Sequence, residues 1–253
     1  MKTPYVHLFQ YPVEKQLSIS KDRGLNCLLG LTANRLMELN SNTVKLIKDF
    51  REKIDVAVHA PPHDMLLGSL DPAIRQVTKM RLLETIKLAS DIRATYVVVH
   101  LNYVENMHKY FKEAWIENSV EVLEELLQQK IKIYLENAYE RDPEIFHKVF
   151  RMLQSDLFGF TLDVGHAIAY SNVPLETWIS KLSSYIKELH VHETRPGSDE
   201  HLAVGSGLID WGHVFSKLEE NGISLNELYI TIEPRDENAL DKSIEYLKIL
   251  GLI

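Results

Sequence analysis

With 253 residues, 45% of them hydrophobic and 25% charged, the chain can bury one large core and carries no biased stretch, which excludes disordered and fibrous classes. A formal charge of −8 supplies no global basic field for nucleic acid, although bound divalent cations would add positive charge where a phosphate would sit. The lone Cys27 excludes an internal disulfide and a thiolate zinc site, and its apolar neighbours Leu25 to Leu29 predict a buried thiol.

The first residues, Met1 to Tyr5, lack the charged-then-apolar run of a signal peptide, and no stretch approaches the ~18 apolar residues of a spanning helix. A soluble, cytoplasmic protein is the expectation. A first strand is predicted over Tyr5–Phe9, followed by a short or irregular connection, because Tyr11 to Asp22 shows no convincing periodicity and contains Pro12. Strands follow at Leu25–Leu31 and Ile54–Ala60. Asp71-Pro72 then starts a helix running to Ile92, with Ile74, Val77, Met80, Leu83 and Ile86 or Lys87 as its apolar stripe.

A fourth strand at Tyr96–Leu101 precedes a helix over Lys109–Gln129, where Val120, Leu123, Leu126 and Leu127 share a face. Further strands are predicted at Ile131–Glu136, Gly159–Asp163, Ile186–His192 and Leu228–Glu233, and an amphipathic helix over Asp236–Leu250 closes the chain. Eight β-branched runs with helices between them, and no linker or charge block, imply an α/β fold: a single (β/α)8 TIM barrel spanning residues 1–253.

Histidines and carboxylates recur where these strands end: Val58-His59-Ala60-Pro61, Val99-His100-Leu101-Asn102, Leu135-Glu136-Asn137, Leu162-Asp163-Val164-Gly165-His166, Leu189-His190-Val191-His192-Glu193 and Ile232-Glu233-Pro234. In a barrel those ends converge on one mouth, so side chains distant in sequence become neighbours. Any one strand histidine is more often a core or surface residue than a ligand, and a strand-end carboxylate often caps the next helix. Repetition on six successive strands points instead to shared cations, since so many ionisable groups buried unpaired would be very costly. Imidazole and carboxylate without sulfur suit zinc, manganese or iron.

The ordered set His59-Ala60-Pro61, His100, Glu136-Asn137, Asp163-x-x-His166, His190-x-x-Glu193, Asp199-x-His201, Gly205-x-Gly207 leading to Asp210-Trp211, and Glu233-Pro234 resembles the xylose-isomerase-like TIM barrel superfamily. That superfamily holds sugar isomerases and epimerases together with endonuclease IV, and the resemblance runs from about Ile54 to the C-terminus. For the epimerases it implies one divalent metal on Glu136, Asp163, His190 and Glu233, with the two glutamates on opposite faces of the substrate. For endonuclease IV it implies a three-metal cluster that adds His59, His100, His166, Asp199 and His201. All nine positions are filled.

Two enzymatic expectations follow. In the first, a sugar or sugar-phosphate isomerase or epimerase, Glu136 and Glu233 exchange a proton beside a single divalent metal; across both readings the expected cofactor is zinc or manganese, one to three ions. His192, Glu193, Arg195 and Trp211 are its candidate contacts to a small carbohydrate. In the second, a phosphodiester hydrolase acting on abasic DNA, the full donor set generates hydroxide, and Asp199 and His201 find a use that a one-ion site does not give them. Against the second, the segment Pro62-His63-Asp64-Met65-Leu66-Leu67-Gly68 departs from the DNA-facing loop of the nuclease, and Ser206 stands where the nuclease pattern has a glutamate. The isomerase is therefore favoured, with a non-catalytic sugar- or metal-binding barrel third, because both glutamates are retained. Self-association is left open. His7, His108, His147 and His213 read as structural or surface residues, Trp115 and Trp178 as packing groups, and Asn102 and Asn137 as donors that orient the ligands they follow.

Overall fold

Runs such as Val97-Val98-Val99 and Ile133-Tyr134-Leu135 are too short for a helix and rich in β-branched or aromatic side chains, so they settle as strands buried on both faces. In the computed structural model, which describes residues 1–253, the chain begins with β1 (Tyr5–His7), α1 (Val13–Asp22), β2 (Asn26–Gly30), α2 (Ala33–Glu38), α3 (Ser41–Arg51) and β3 (Val56–His59). It continues through α4 (Pro72–Asp91), β4 (Val97–His100), α5 (Glu105–His108), a 3-10 turn, α6 (Lys112–Leu127), β5 (Ile133–Glu136), α7 (Glu144–Met152) and β6 (Phe158–Asp163). The remainder is α8 (Val164–Tyr170), α9 (Leu175–Leu182), β7 (Ile186–Val191), β8 (Glu193–Arg195), β9 (Ser198–Leu202), α10 (Trp211–Glu220), β10 (Tyr229–Ile232) and α11 (Glu237–Ile249).

Eight of these strands close into one parallel barrel in the order β1-β10-β7-β6-β5-β4-β3-β2, and the helices between them make this a (β/α)8 TIM barrel. The expected strands all form, seven of them trimmed by a residue or two at one or both ends and β6 starting one residue earlier, at Phe158. No helix is long and apolar enough to cross a membrane.

Three local expectations are corrected. The connection after β1 is a ten-residue helix, α1, with Pro12 as its N-cap, and its inward stripe was disguised because Gln16 and Ser20 belong to it. Gln16 is buried because its amide both donates to and accepts from the backbone of Gly30. On α4 the large apolar residues Ile74, Val77 and Met80 face outward, whereas Thr78, Leu82, Thr85, Ile86, Leu88 and Ala89 are buried. The segment after β7, for which no strand was predicted, forms an antiparallel hairpin, β8 with β9, separate from the barrel sheet.

Between strands and helices lies the main apolar core, to which Cys27, Trp115, Trp178 and Trp211 contribute. Burial pushes the Cys27 thiol up to about 12, so it is an inert core group. Inside the barrel Tyr5, Leu28, Ala57, Tyr96, Val98 and Tyr134 form a second cluster, with Tyr229 against it. Tyr96 stacks on Tyr134 at 4.8 Å and lies 4.9 Å from Tyr229, so the lower barrel is plugged by aromatic rings. Glu188 sits fully buried just above this plug, where its carboxylate accepts from Tyr96 Oη (2.6 Å), Thr161 Oγ1 (2.8 Å) and Thr231 Oγ1 (2.6 Å).

Candidate metal centre

The donors stand at one level because the parallel register puts them there. His59, His100, Glu136 and Asp163 are the final residues of β3, β4, β5 and β6, and the register sets His100 beside Glu136 and Asp163 beside His190. Glu233 directly follows β10. Asp163 also caps α8, accepting from the His166 amide at 2.6 Å, and so turns the His166 ring towards the mouth. Asp199 and His201 arrive from β9, folded over the rim.

Glu136 is the hub. Its Oε2 lies 3.0 Å from both His59 Nε2 and His100 Nε2, and its Oε1 lies 3.1 Å from His190 Nδ1 and 3.6 Å from His166 Nδ1. His190 Nδ1 is also 3.0 Å from Glu233 Oε1 and 3.8 Å from Asp163 Oδ2. A second knot gathers around Asp199, whose Oδ2 is 3.3 Å from His166 Nε2 and 3.2 Å from His201 Nε2. The nine expected donors are thus brought together: seven line one cleft, and Asp163 and His190 are fully buried against it.

The hydrogen bonds on the far side of each ring decide what this cleft can hold. His59 Nδ1 donates to the Ala60 carbonyl (2.8 Å), His166 Nδ1 to the Asn137 carbonyl (2.9 Å) and His201 Nδ1 to the Glu233 carbonyl (3.1 Å). With its proton fixed on Nδ1, a neutral ring presents the Nε2 lone pair to a carboxylate oxygen, and two acceptors facing each other need a cation between them. Glu136, Asp163 and Glu233 are buried together within reach of one imidazole, and Asp163 Oδ2 has no hydrogen-bond partner. Backbone-anchored imidazoles and clustered carboxylates are the donor set of a divalent metal site, and these residues fit one.

Without a metal, protons have to do this work. Burial opposes charge on His166 and His190, but the surrounding carboxylates hold both well above the ordinary histidine range. His201 is raised to about 9 despite burial, chiefly by Asp199, while Asp199 is held far below the usual carboxylate range by His166 and His201. Burial alone would raise Glu136 and Glu233, yet the charge on His190 keeps both well below it.

His7 is a residue that sequence reasoning missed. It was read as structural, but its Nδ1 donates to Glu233 Oε1 at 2.6 Å, its ring stacks on His59 at 4.6 Å, and it lines the cleft. Burial lowers it to about 4, so it acts as a neutral donor that fixes one oxygen of Glu233. Phe9, Pro62, His63, Ala138 and Tyr139 complete the wall of the cleft. Phe9 and Tyr139 carried no motif signal; both are partly exposed aromatic residues just past a strand end.

None of the four expected substrate contacts lines the cleft. Glu193 is fully buried, and its carboxylate accepts from Trp211 Nε1 (2.8 Å) and the amides of Gly205 (3.2 Å) and Ile209 (3.4 Å). Gly207 is required there, because a Cβ on it would stand 2.2 Å from Glu193 Oε2. Glu193 and Trp211 are therefore partners of each other and shape the segment that leads into α10. Arg195 is exposed at the hairpin tip, 3.5 Å from Glu200. His192 is buried beneath the cleft with Nε2 3.2 Å from Asp163 Oδ1. Asn137 bridges β5 to β6 by exchanging hydrogen bonds with the backbone of Asp163, and Asn102 holds the carbonyls of Pro62 and Met65, so each braces a loop.

The chain is 28% identical over 225 residues to the uncharacterized protein MJ1311 of Methanocaldococcus jannaschii, covering 83% of this chain and 75% of that one. It is 28% identical over 169 residues to a probable endonuclease 4 of Mycobacterium leprae, covering 62% of this chain and 66% of the other. Among solved structures, a D-tagatose 3-epimerase-like protein superposes with a TM-score of 0.85 at 24% identity, covering 98% and 96% of the two chains, a likeness of fold. Residues 26–250 match the family model described as a xylose isomerase-like TIM barrel, and the closed barrel with donors at its strand ends accords with that match: the chain belongs to the xylose isomerase-like TIM barrel family.

Proposed function

We propose that this chain is a divalent-metal-dependent enzyme that isomerises or epimerises a sugar or sugar phosphate. The observation that carries the reading is that Glu136 and Glu233, three strands apart around the barrel, both face one small cleft and share His190. Glu136, Asp163, His190 and Glu233 would hold the ion, which when bound supplies Lewis-acid stabilisation of negative charge building on substrate oxygens.

Within the cleft, His7 engages Glu233 Oε1 and leaves Oε2 as the oxygen available to take or return a proton. Glu136 approaches from the other side, with an imidazole within about 3 Å of each oxygen to steady its charge. Phe9 and Tyr139 offer ring faces to the substrate's C–H surface and exclude water. The MJ1311 relative carries no function in its name, whereas the epimerase-like neighbour supports a carbohydrate substrate.

A second reading, a phosphodiester hydrolase on abasic DNA, is favoured by Asp199 and His201, which a one-ion isomerase leaves without a catalytic use. The two separate in one experiment: a panel of ketoses and ketose phosphates in deuterated water beside an abasic-site duplex, each with added zinc or manganese. Solvent deuterium entering a sugar is expected. Strand incision with no deuterium uptake by any sugar would overturn the isomerase reading.

A further inference from the structure

We propose that the hollow beside the cleft, walled by Asn106, Tyr139, Arg141 and Tyr170, is a second carbohydrate subsite that takes a neutral glycosyl unit linked to the sugar held in the cleft. The proposal rests on the carbohydrate reading of the cleft and narrows its substrate from a free sugar to a glycosylated one. Val104 and Glu105 complete the hollow, which contains none of the metal donors. Tyr139 lines both spaces, so a ligand that reaches past its ring from one enters the other.

Three pieces of chain build the hollow, and each is tied to the next. In Tyr139-Glu140-Arg141 the middle side chain turns inward: Glu140 is 2% exposed, and its carboxylate accepts from the amides of Ala138 (2.7 Å) and Tyr103 (2.9 Å). Tyr139 and Arg141, on either side of it, are exposed and line the hollow. The Tyr103 amide opens the segment that leads into Val104, Glu105 and Asn106, so one buried carboxylate sets the spacing of two walls. Burial opposes its charge and pushes the carboxyl up to about 7, while the two amides act the other way. The third wall, Tyr170 at the end of α8, is fixed by the residues that follow it: Ser171 Oγ (3.1 Å) and the Asn172 amide (2.8 Å) both donate to the Arg141 carbonyl.

The groups on these walls suit a sugar ring. The Tyr139 and Tyr170 rings lie 5.6 Å apart at 56°, an aromatic corner against which the C–H face of a pyranose can rest. Around it stand polar groups of both kinds. Arg141, whose Nη1 donates to Asn172 Oδ1 at 3.3 Å, supplies further N–H donors, Asn106 supplies a donor and an acceptor, and Glu105 supplies acceptors. A sugar hydroxyl donates one hydrogen and accepts others, so it uses such a mixture. A phosphate brings only negative acceptors and would meet the Glu105 carboxylate in the same hollow, a juxtaposition of like charges. Glu105 therefore decides for a neutral ring over the phosphate of a sugar phosphate.

The test is calorimetric titration and saturation-transfer NMR of the full chain with added zinc, using fructose, phosphorylated fructose and the glucosyl-fructoses maltulose, leucrose and palatinose. At least one glucosyl-fructose is expected to bind about 10-fold tighter than fructose, the gain of roughly one hydrogen bond to a charged group, with saturation reaching its glucosyl protons. Arg141→Ala, which trims an exposed side chain, and Tyr170→Ala should each abolish that gain. Equal binding of all these sugars, or binding of none, would overturn the proposal, as would a gain kept in both variants or one confined to the phosphate ester. Deuterium uptake from solvent, followed on the same sugars, separates this inference from the reading it rests on. Uptake by fructose with no preference for its glucosides would leave the isomerase standing without the subsite, whereas glucosyl binding with no uptake by any sugar would leave the subsite and overturn the isomerase.

Discussion

Replacing Glu188 with alanine removes the one acceptor shared by Tyr96, Thr161 and Thr231, all buried in the barrel. Each hydroxyl left without a partner costs about 1–3 kcal/mol, so three set a ceiling of roughly 3–9 kcal/mol. Rotation of the hydroxyls towards one another, or water entering the space vacated, recovers part of this, so the expected loss is about 3–5 kcal/mol, in the lower half of that range. For a chain of this size that corresponds to a fall in Tm of about 6–20 °C, at ~2–4 °C per kcal/mol. The measurement is the urea midpoint of wild type, Glu188→Ala and Glu188→Gln, all in excess chelator so that no bound cation adds its own stabilisation. Glutamine keeps a carbonyl acceptor and is expected to lose only about 1–2 kcal/mol. A loss below about 1 kcal/mol in the alanine variant would mean that the hydroxyls are satisfied without Glu188, and the account of the barrel floor would be wrong. His190 Nε2 is 3.4 Å from the same carboxylate, so metal affinity is expected to fall in parallel with stability.

His7→Ala removes the neutral donor on Glu233 Oε1 and is expected to lower metal affinity about 10–100-fold, read by chelator competition; an unchanged affinity would return His7 to a packing role. His201 is raised above its ordinary value to about 9, so in metal-free protein its contribution to stability is full below about pH 6.5 and is lost as pH rises through about 9. A metal taking the same nitrogen must displace that proton. Zinc binding at pH 7.5 should therefore release protons, seen as a calorimetric enthalpy that varies with the buffer, and the release should shrink above pH 9. Glu193→Ala leaves the Trp211 indole N–H and two backbone amides unpaired in the core and is expected to cost about 2–4 kcal/mol, with a shift in tryptophan emission; a neutral result would reopen a substrate-binding role for Glu193.

Barrel and donors were readable for the same reason. A parallel strand buried on both faces has to be a short β-branched run, and a histidine or glutamate ending such a run can only be at the mouth. Legibility failed wherever burial was achieved with polar atoms. Gln16 and Ser20 hid the inner face of α1, and Thr78 and Thr85 hid that of α4, since a threonine that returns its hydroxyl to the helix backbone, as Thr85 does to Arg81, packs like an apolar residue. His7 escaped because its partner is 226 residues away and no local motif marks it. Glu193 and Trp211 were placed in the pocket because both stand beside strand-end or loop motifs, yet which way a side chain faces at a strand end is set by closure of the ring, which spacing along the chain does not encode. The hairpin strands Glu193–Arg195 and Ser198–Leu202 are short and polar, so they carried neither alternation nor β-branched enrichment.

The tyrosine plug has a consequence for traffic. With Tyr5, Tyr96, Tyr134 and Tyr229 sealing the lower end, the cleft is a blind well with a single doorway at the top. If the proposed function holds, an ion at its bottom would have to enter before the carbohydrate and could not leave while the carbohydrate remained. Occupancy by a tight-binding sugar would therefore slow extraction of the ion by an added chelator, and the order of arrival would be imposed by plumbing alone, with no moving lid required.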